Sequence, residues 1–254
     1  MNKSLKNSTL WYSLFILPVL ISGCAEIDSE NIRTSGFYTE IEVVAENDRT
    51  TVHADLSTDR ALDADSIKLS AGDRLSATMS GQTISLVEAG TGYEGEFNQS
   101  GDGALVTVSL RRDSGTDAPG STVNVPQLFQ ITAPDQAATF NAGDSITVVW
   151  SPNDPANLVS VNYFLNCQVT GANGLPTGAA FGRSFEVVDS GTHTTTINTI
   201  LNTFGSQDDL ISGVACPMTV SVTRTIEGSL DAALTKGGDI RAIREESVVV
   251  NAIP

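Results

Sequence analysis

The chain has 254 residues, with 30 acidic against 14 basic side chains and a formal net charge of −16. A surplus this negative excludes nucleic-acid binding built on cationic contacts to phosphate, and it disfavours electrostatic adhesion to anionic lipid. The length suits one or two domains, and the abundance of Thr, Ser, Gly, Val and Asp is a strand-and-turn composition.

Lys3 and Lys6 open the chain, and Leu10 to Ile21 is apolar apart from Ser13 and Pro18. At about 1.5 Å per residue this run covers roughly 18 Å as a helix, short of a roughly 30 Å hydrocarbon core. A plain secretory signal or a short membrane anchor is the simplest account. The run ends in Ile21-Ser22-Gly23-Cys24, which resembles the lipobox of bacterial lipoprotein precursors, with Ile21 standing where Leu is commonest. The resemblance implies a signal peptide over residues 1–23, cleavage between Gly23 and Cys24, and a diacylglycerol on the Cys24 thiol with a further acyl chain such as palmitate on its amine. Each buried methylene contributes about 0.8 kcal/mol, so two or three chains hold a protein stably to a membrane. Ala25 stands where an Asp would keep an enteric-type lipoprotein in the inner membrane. The resemblance therefore implies an outer-membrane anchor in the cell envelope, facing either the periplasm or the outside. Two of the basic residues and no acid precede Cys24, so the chain from there on has 12 basic and 30 acidic residues, a formal charge of −18.

Residues 24–36 have little apolar content and read as the lipidated cysteine and a tether, reaching at most about 40 Å at roughly 3.3 Å per residue. From 37 to 125 the apolar residues come in short alternating bursts. "YTEIEVVAE", "TVHADLS", "GYEGEF" and "ALVTVSLRR" read as strands, and "RLSATMSGQTISLVE" as a hairpin turning at Ser80-Gly81. Strands every eight to twelve residues, with Gly, Asp or Ser between them, predict a first β-sandwich domain. The stretch "STVNVPQLFQITAPDQ" carries the boundary, with Pro126 at a linker or edge. Residues 126–254 hold seven further candidate strands: "LFQIT", "SITVVW", "LVSVNYFLNCQV", "GRSFEVV", "HTTTINTI", "CPMTVSVTRTI" and "IRAIREESVVV". In "SITVVW", Ile146, Val148 and Trp150 share the face expected to be the core.

The segment "ITAPDQAATFNAGDSITVVWSP" is similar to the opening of immunoglobulin-like sandwich domains in bacterial surface proteins, including the type related to fungal Kre9/Knh1 cell-wall proteins. The shared features are an Ile-Thr-x-Pro start, a Gly-Asp/Ser turn and a strand ending in Trp. The resemblance implies an all-β chain with two tandem immunoglobulin-like β-sandwich domains. In that frame Cys167 ends the third strand and Cys216 begins the sixth. Those two strands lie side by side and antiparallel, which fits a disulfide in an oxidising compartment. The alternative is two buried free thiols. Closing a loop of about fifty residues contributes about 4 kcal/mol in the chain-entropy model.

Motifs for chemistry are sparse. "GTGYEG" matches G-x-G-x-x-G, but strand rather than helix follows it, so a glycine-rich turn is the better reading. His53 sits on the polar face of its strand and His193 opens a threonine-rich one, so both read as surface histidines. No zinc or catalytic spacing surrounds either. Asp59, Asp63 and Asp65 in "STDRALDADS" are candidate calcium ligands without EF-hand spacing, against a solvated acidic loop. No other metal site or cofactor is indicated. The reading is a non-enzymatic, lipid-anchored envelope protein that meets the membrane through its anchor and an unknown protein or glycan through sandwich loops. The alternative is a polysaccharide-acting hydrolase, or its accessory module, working through two carboxylates. A third route is assembly through an uncovered edge strand.

Overall fold

The alternating stretches become strands in the computed structural model, which describes residues 26–61, 64–70, 72–171, 174–202 and 210–254. In chain order these are β1 (Glu26–Asp28), β2 (Tyr38–Ala45), β3 (Thr50–Ser57), β4 (Ser66–Lys68), β5 (Arg74–Met79), β6 (Gln82–Ala89), β7 (Gly92–Phe97), β8 (Leu105–Arg111) and β9 (Ala118–Asn124). There follow β10 (Gln130–Ala133), β11 (Thr139–Asn141), β12 (Ser145–Ser151), β13 (Leu158–Thr170), β14 (Pro176–Val188), β15 (Thr192–Thr196), the short helix α1 (Ile197–Leu201), β16 (Cys216–Glu227) and β17 (Gly237–Ile253). Among the described residues no helix is long and apolar enough to cross a membrane.

Period-two patterning explains the local structure. Ile41 and Val43 of β2 lie opposite Ala54 and Val52 of β3, and all four are buried. The β5–β6 hairpin turns on two residues, Ser80 (φ 50°) and Gly81 (φ 80°). Two left-handed residues match the twist of the flanking strands, and Gly81 adopts that conformation without a side-chain clash.

In the first sandwich the strands run β17-β2-β3-β7-β6-β5-β8-β9. β6 changes sheets: Gln82 to Leu86 pair with β5, and Val87 to Ala89 pair with β7. β9 reaches back to the end of β16 through a Thr122–Ser229 bridge. In the second sandwich β10-β12-β15 face β14-β13-β16-β17, with β11 lying parallel to β17. In immunoglobulin lettering this is A-B-E against A′-G-F-C-C′. The protein is all-β, of the immunoglobulin-like sandwich type. Ile146, Val148 and Trp150 all face the second core.

The two cores share a strand. Ile240 and Ala242 of β17, with Leu234 before it, lie in the first core, whereas Val248, Val250 and Ala252 lie in the second. The first half of β17 pairs in parallel with β2 along Gly237–Arg244. The first core thus draws residues from both sides of Pro126.

Two local expectations are corrected. The stretch read as a tether is folded from Glu26 onward: β1 pairs with β4, two 3-10 turns follow, and Ser29 and Thr34 are buried. The physical reason is Arg112. Its Nη2 donates to the carbonyls of Ser29 (2.6 Å) and Ile32 (3.1 Å), and its Nη1 donates to Thr34 Oγ1 (3.1 Å). Polar capture of this kind leaves no apolar periodicity to read. The second correction is "HTTTINTI", which is strand only to Thr196. The Thr196 side chain then accepts from Thr199 N, and Ile197, Ile200 and Leu201 are buried at helical spacing.

Candidate functional site

Gly23 and Cys24 lie outside the described residues, which begin at Glu26. Cys167 and Cys216 form a disulfide, with Cα atoms 4.5 Å apart. β13 and β16 are antiparallel neighbours whose register runs to Leu165 opposite Met218. Two places further on, the cysteines face each other directly, at the separation of a non-hydrogen-bonded cross-strand pair. Both are buried in the second core.

Of the candidate calcium ligands, Asp63 lies outside the described residues. Asp59 Oδ1 accepts from the neighbouring Arg60 N at 2.7 Å, and the Asp65 carbonyl accepts from Thr58 N. These are turn contacts within the loop. Among the described residues no group of three or more His, Cys, Asp or Glu side chains is arranged to hold a metal ion. "GTGYEG" forms the β6–β7 turn and the start of β7, a hairpin and not a strand-to-helix crossover.

The two histidines differ. His53 is half-buried on the outer face of β3, with Asp55 3.8 Å and Glu94 3.7 Å away. It lines a shallow depression of about 240 Å³ with Glu40, Glu42, Asp55, Asp239 and Arg241. His193 corrects the reading of a surface residue: it turns toward the second core, 4.9 Å from the Phe185 ring and 6.4 Å from Tyr163. Among the described residues, His193 Nε2 and Tyr163 Oη are buried without a hydrogen-bond partner. Burial holds the imidazole below its usual range and raises the Tyr163 phenol. Between the sheets and against two aromatic rings, the imidazole has the surroundings of a packing residue.

The most elaborate polar structure sits at the joint between the cores. Asp189 is fully buried and accepts from Trp150 Nε1 (2.6 Å) and Arg224 Nε (2.8 Å). The rest of the Arg224 guanidinium donates to the Gln127 and Pro152 carbonyls and lies over the Phe129 ring, 4.4 Å from its centroid. Directly opposite Arg224 on β17 is Arg244, fully buried, donating to the carbonyls of Pro126 (3.0 Å), Glu46 (3.1 Å) and Ser100 (2.7 Å). One side chain therefore ties together the Pro126 connection, the β2–β3 turn and the β7–β8 loop. Sequence reading missed both arginines. Their signal was parity: Arg224 shares a strand face with Val220 and Val222, and Arg244 with Ala242 and Val248.

Beside the joint, Glu46, Asp48, Glu245 and Glu246 line a depression of about 410 Å³. Burial raises the Glu246 carboxyl above its usual range, against an opposing pull from Arg244. A second cleft of about 580 Å³ lies where the N-terminal segment meets the β8–β9 loop, lined by Asn31, Arg33, Thr34, Thr116 and Thr235 among others.

The fold defines an all-β protein of two linked immunoglobulin-like sandwiches. No protein-family model and no curated protein matches the chain. Among solved structures it is similar to fibronectin(III)-like modules of Clostridium thermocellum CbhA, at 11% identity over 85% of this chain and 93% of that one, with a TM-score of 0.24. It is also similar to red sea bream transglutaminase, at 12% identity over 86% of this chain and 32% of that one, with a TM-score of 0.20. At these scores neither likeness bears on function.

Proposed function

We propose that this is a lipid-anchored protein of the bacterial envelope, acylated at Cys24 and held to the outer membrane. In this reading it is a non-enzymatic binding or scaffolding element that presents two sandwiches to a protein or glycan partner. The observation that carries the scaffolding reading is the joint. Two buried arginines and a strand shared by both cores suit a rod that holds its ends at a fixed separation. The lipobox-like Ile21-Ser22-Gly23-Cys24 supports the anchor, and the Cys167–Cys216 disulfide suits an oxidising compartment. The test is fractionation of cells expressing Cys24→Ser, with mass analysis of the native N-terminus. The reading expects release of the variant from the membrane and a diacylated or triacylated Cys24 in the parent. A variant that stays membrane-bound overturns it.

A second reading, a hydrolase acting on polysaccharide, draws on one observation: the raised Glu246 carboxyl in a depression with three other acids. Two carboxyl groups facing one depression, in environments that differ, are the arrangement glycoside hydrolysis uses. Activity on envelope or external glycans that disappears in Glu246→Gln, with folding unchanged, would favour this reading over the first.

A further inference from the structure

We propose that the end of the first sandwich bearing the N-terminus is a membrane-apposed face, so that the protein stands upright on the bilayer with its disulfide-bearing tip outermost. The inference rests on acylation of Cys24 and adds an orientation to it. Only Ala25 separates Cys24 from Glu26, the first residue of β1. β1 is fixed to β4, and the turns after it are held by Arg112. At 3.8 Å per Cα step, the acylated residue lies within roughly 10 Å of the folded body. A flexible tether of the length expected for residues 24–36 would permit any orientation; this one does not.

The position of β1 sets which end faces the lipid. Glu26 pairs with Ser66, Ser66 with Ser57, Ser57 with Tyr38, and Tyr38 with Gly237. All five mark one end of the first sandwich. β17 starts there, passes the joint at Arg244 and finishes beside Cys216, which lies opposite Ala252. Its 17 residues, at about 3.3 Å each, put the tip about 50 Å from the base.

Of the 12 basic residues from Cys24 onward, seven cluster at this end: Arg33, Arg60, Lys68, Arg74, Arg111 and Lys236, with the buried Arg112. The register confirms their neighbourhood, since Lys68 lies opposite Asp28, Arg74 opposite Arg111, and Lys236 just before Gly237. Both lysines that follow Cys24 are among them. At least nine acids lie there too, among them Glu26 and Glu88 paired with Lys68 and Asp73 paired with Arg112, so this end is negative overall and the short leash alone sets the direction. The occupant of this face is the lipid bilayer itself.

The test uses the full acylated chain reconstituted in phospholipid vesicles with acceptor-labelled headgroups. Its other cysteines are blocked by lipid or disulfide, so a donor can be placed at Lys236→Cys (base) or Gly178→Cys (tip, an exposed β14 position opposite Gln168). The expected result is strong energy transfer from the base and several-fold weaker transfer from the tip. Insertion of about ten Gly and Ser residues after Ala25 should bring the two together. Protein that floats with vesicles but transfers equally from both positions leaves the anchor standing and overturns the orientation. A gradient unchanged by the insert overturns the leash as its cause. Protein that fails to float overturns the anchor, and the orientation with it.

Discussion

Arg224→Met tests how the two cores are coupled. In the folded protein the Arg224 side chain is 7% exposed, the Asp189 side chain fully buried, and their N–O distance 2.8 Å. Methionine preserves much of the stem's packing over Phe129 but leaves Asp189 a buried charge with Trp150 as its remaining side-chain donor. It also strips a donor from the Gln127 and Pro152 carbonyls. Breaking one side of a buried ion pair costs about 3–5 kcal/mol, a large share of a stability of about 5–15 kcal/mol. For a chain of this size that lowers Tm by about 6–20 °C. Asp189→Asn in the same chain removes the orphaned charge, so the double variant should be more stable than the two single losses predict, with a coupling of about 1–3 kcal/mol. The assay is urea unfolding of the Cys24→Ser chain, followed by far-UV circular dichroism and by fluorescence of Trp150, the one tryptophan after Cys24. An Arg224→Met loss under about 1 kcal/mol, or strict additivity in the double variant, would refute the reasoning.

Reducing the Cys167–Cys216 disulfide, which closes a sequence separation of 49, should cost about 4 kcal/mol and lower the urea midpoint without abolishing the fold. An unchanged midpoint in reductant would show that the loop is already constrained in the unfolded chain. Because burial depresses His193 in the folded state, its contribution is flat above the unfolded imidazole value of about 6.5. Below that pH the unfolded chain takes up a proton that the folded chain resists, so stability falls with pH until the depressed folded value is passed. His193→Phe should remove this slope, read as the difference between the two proteins' urea midpoints from pH 7.5 to 5. A chain ending at Val125 should show no cooperative unfolding, since it lacks Leu234, Ile240 and Ala242 and the strand that pairs with β2. For the same reason, a protease cut near Pro126 should leave the two halves together on native gels. A folded, independently stable 24–125 fragment would make β17 an accessory to the first core.

Local patterning made much of this protein legible before its structure. Ile41 and Val43, or Val52, Ala54 and Leu56, declare their buried face by alternation alone. Ser80-Gly81 declares its turn through the left-handed conformations that turn needs. What stayed hidden depends on pairings far apart in sequence. "IRAIREESVVV" reads as one strand of one sandwich, and nothing local says that its first half pairs with Tyr38–Ala45 some two hundred residues away. The N-terminal segment has too little apolar content to signal packing, because an arginine from residue 112 holds it by its carbonyls. The joint could have been found. An arginine on the inward parity of a Val- and Ile-rich strand marks a level where apolar core gives way to carbonyls that need donors. Arg224 and Arg244 lie directly opposite each other, so β16 and β17 leave one core and enter the other at the same height. Two strands crossing together at one level, one carrying a cation bonded to the connection and the second sandwich and the other a cation bonded to the connection and the first, make the joint part of the sheet rather than a hinge between two sheets.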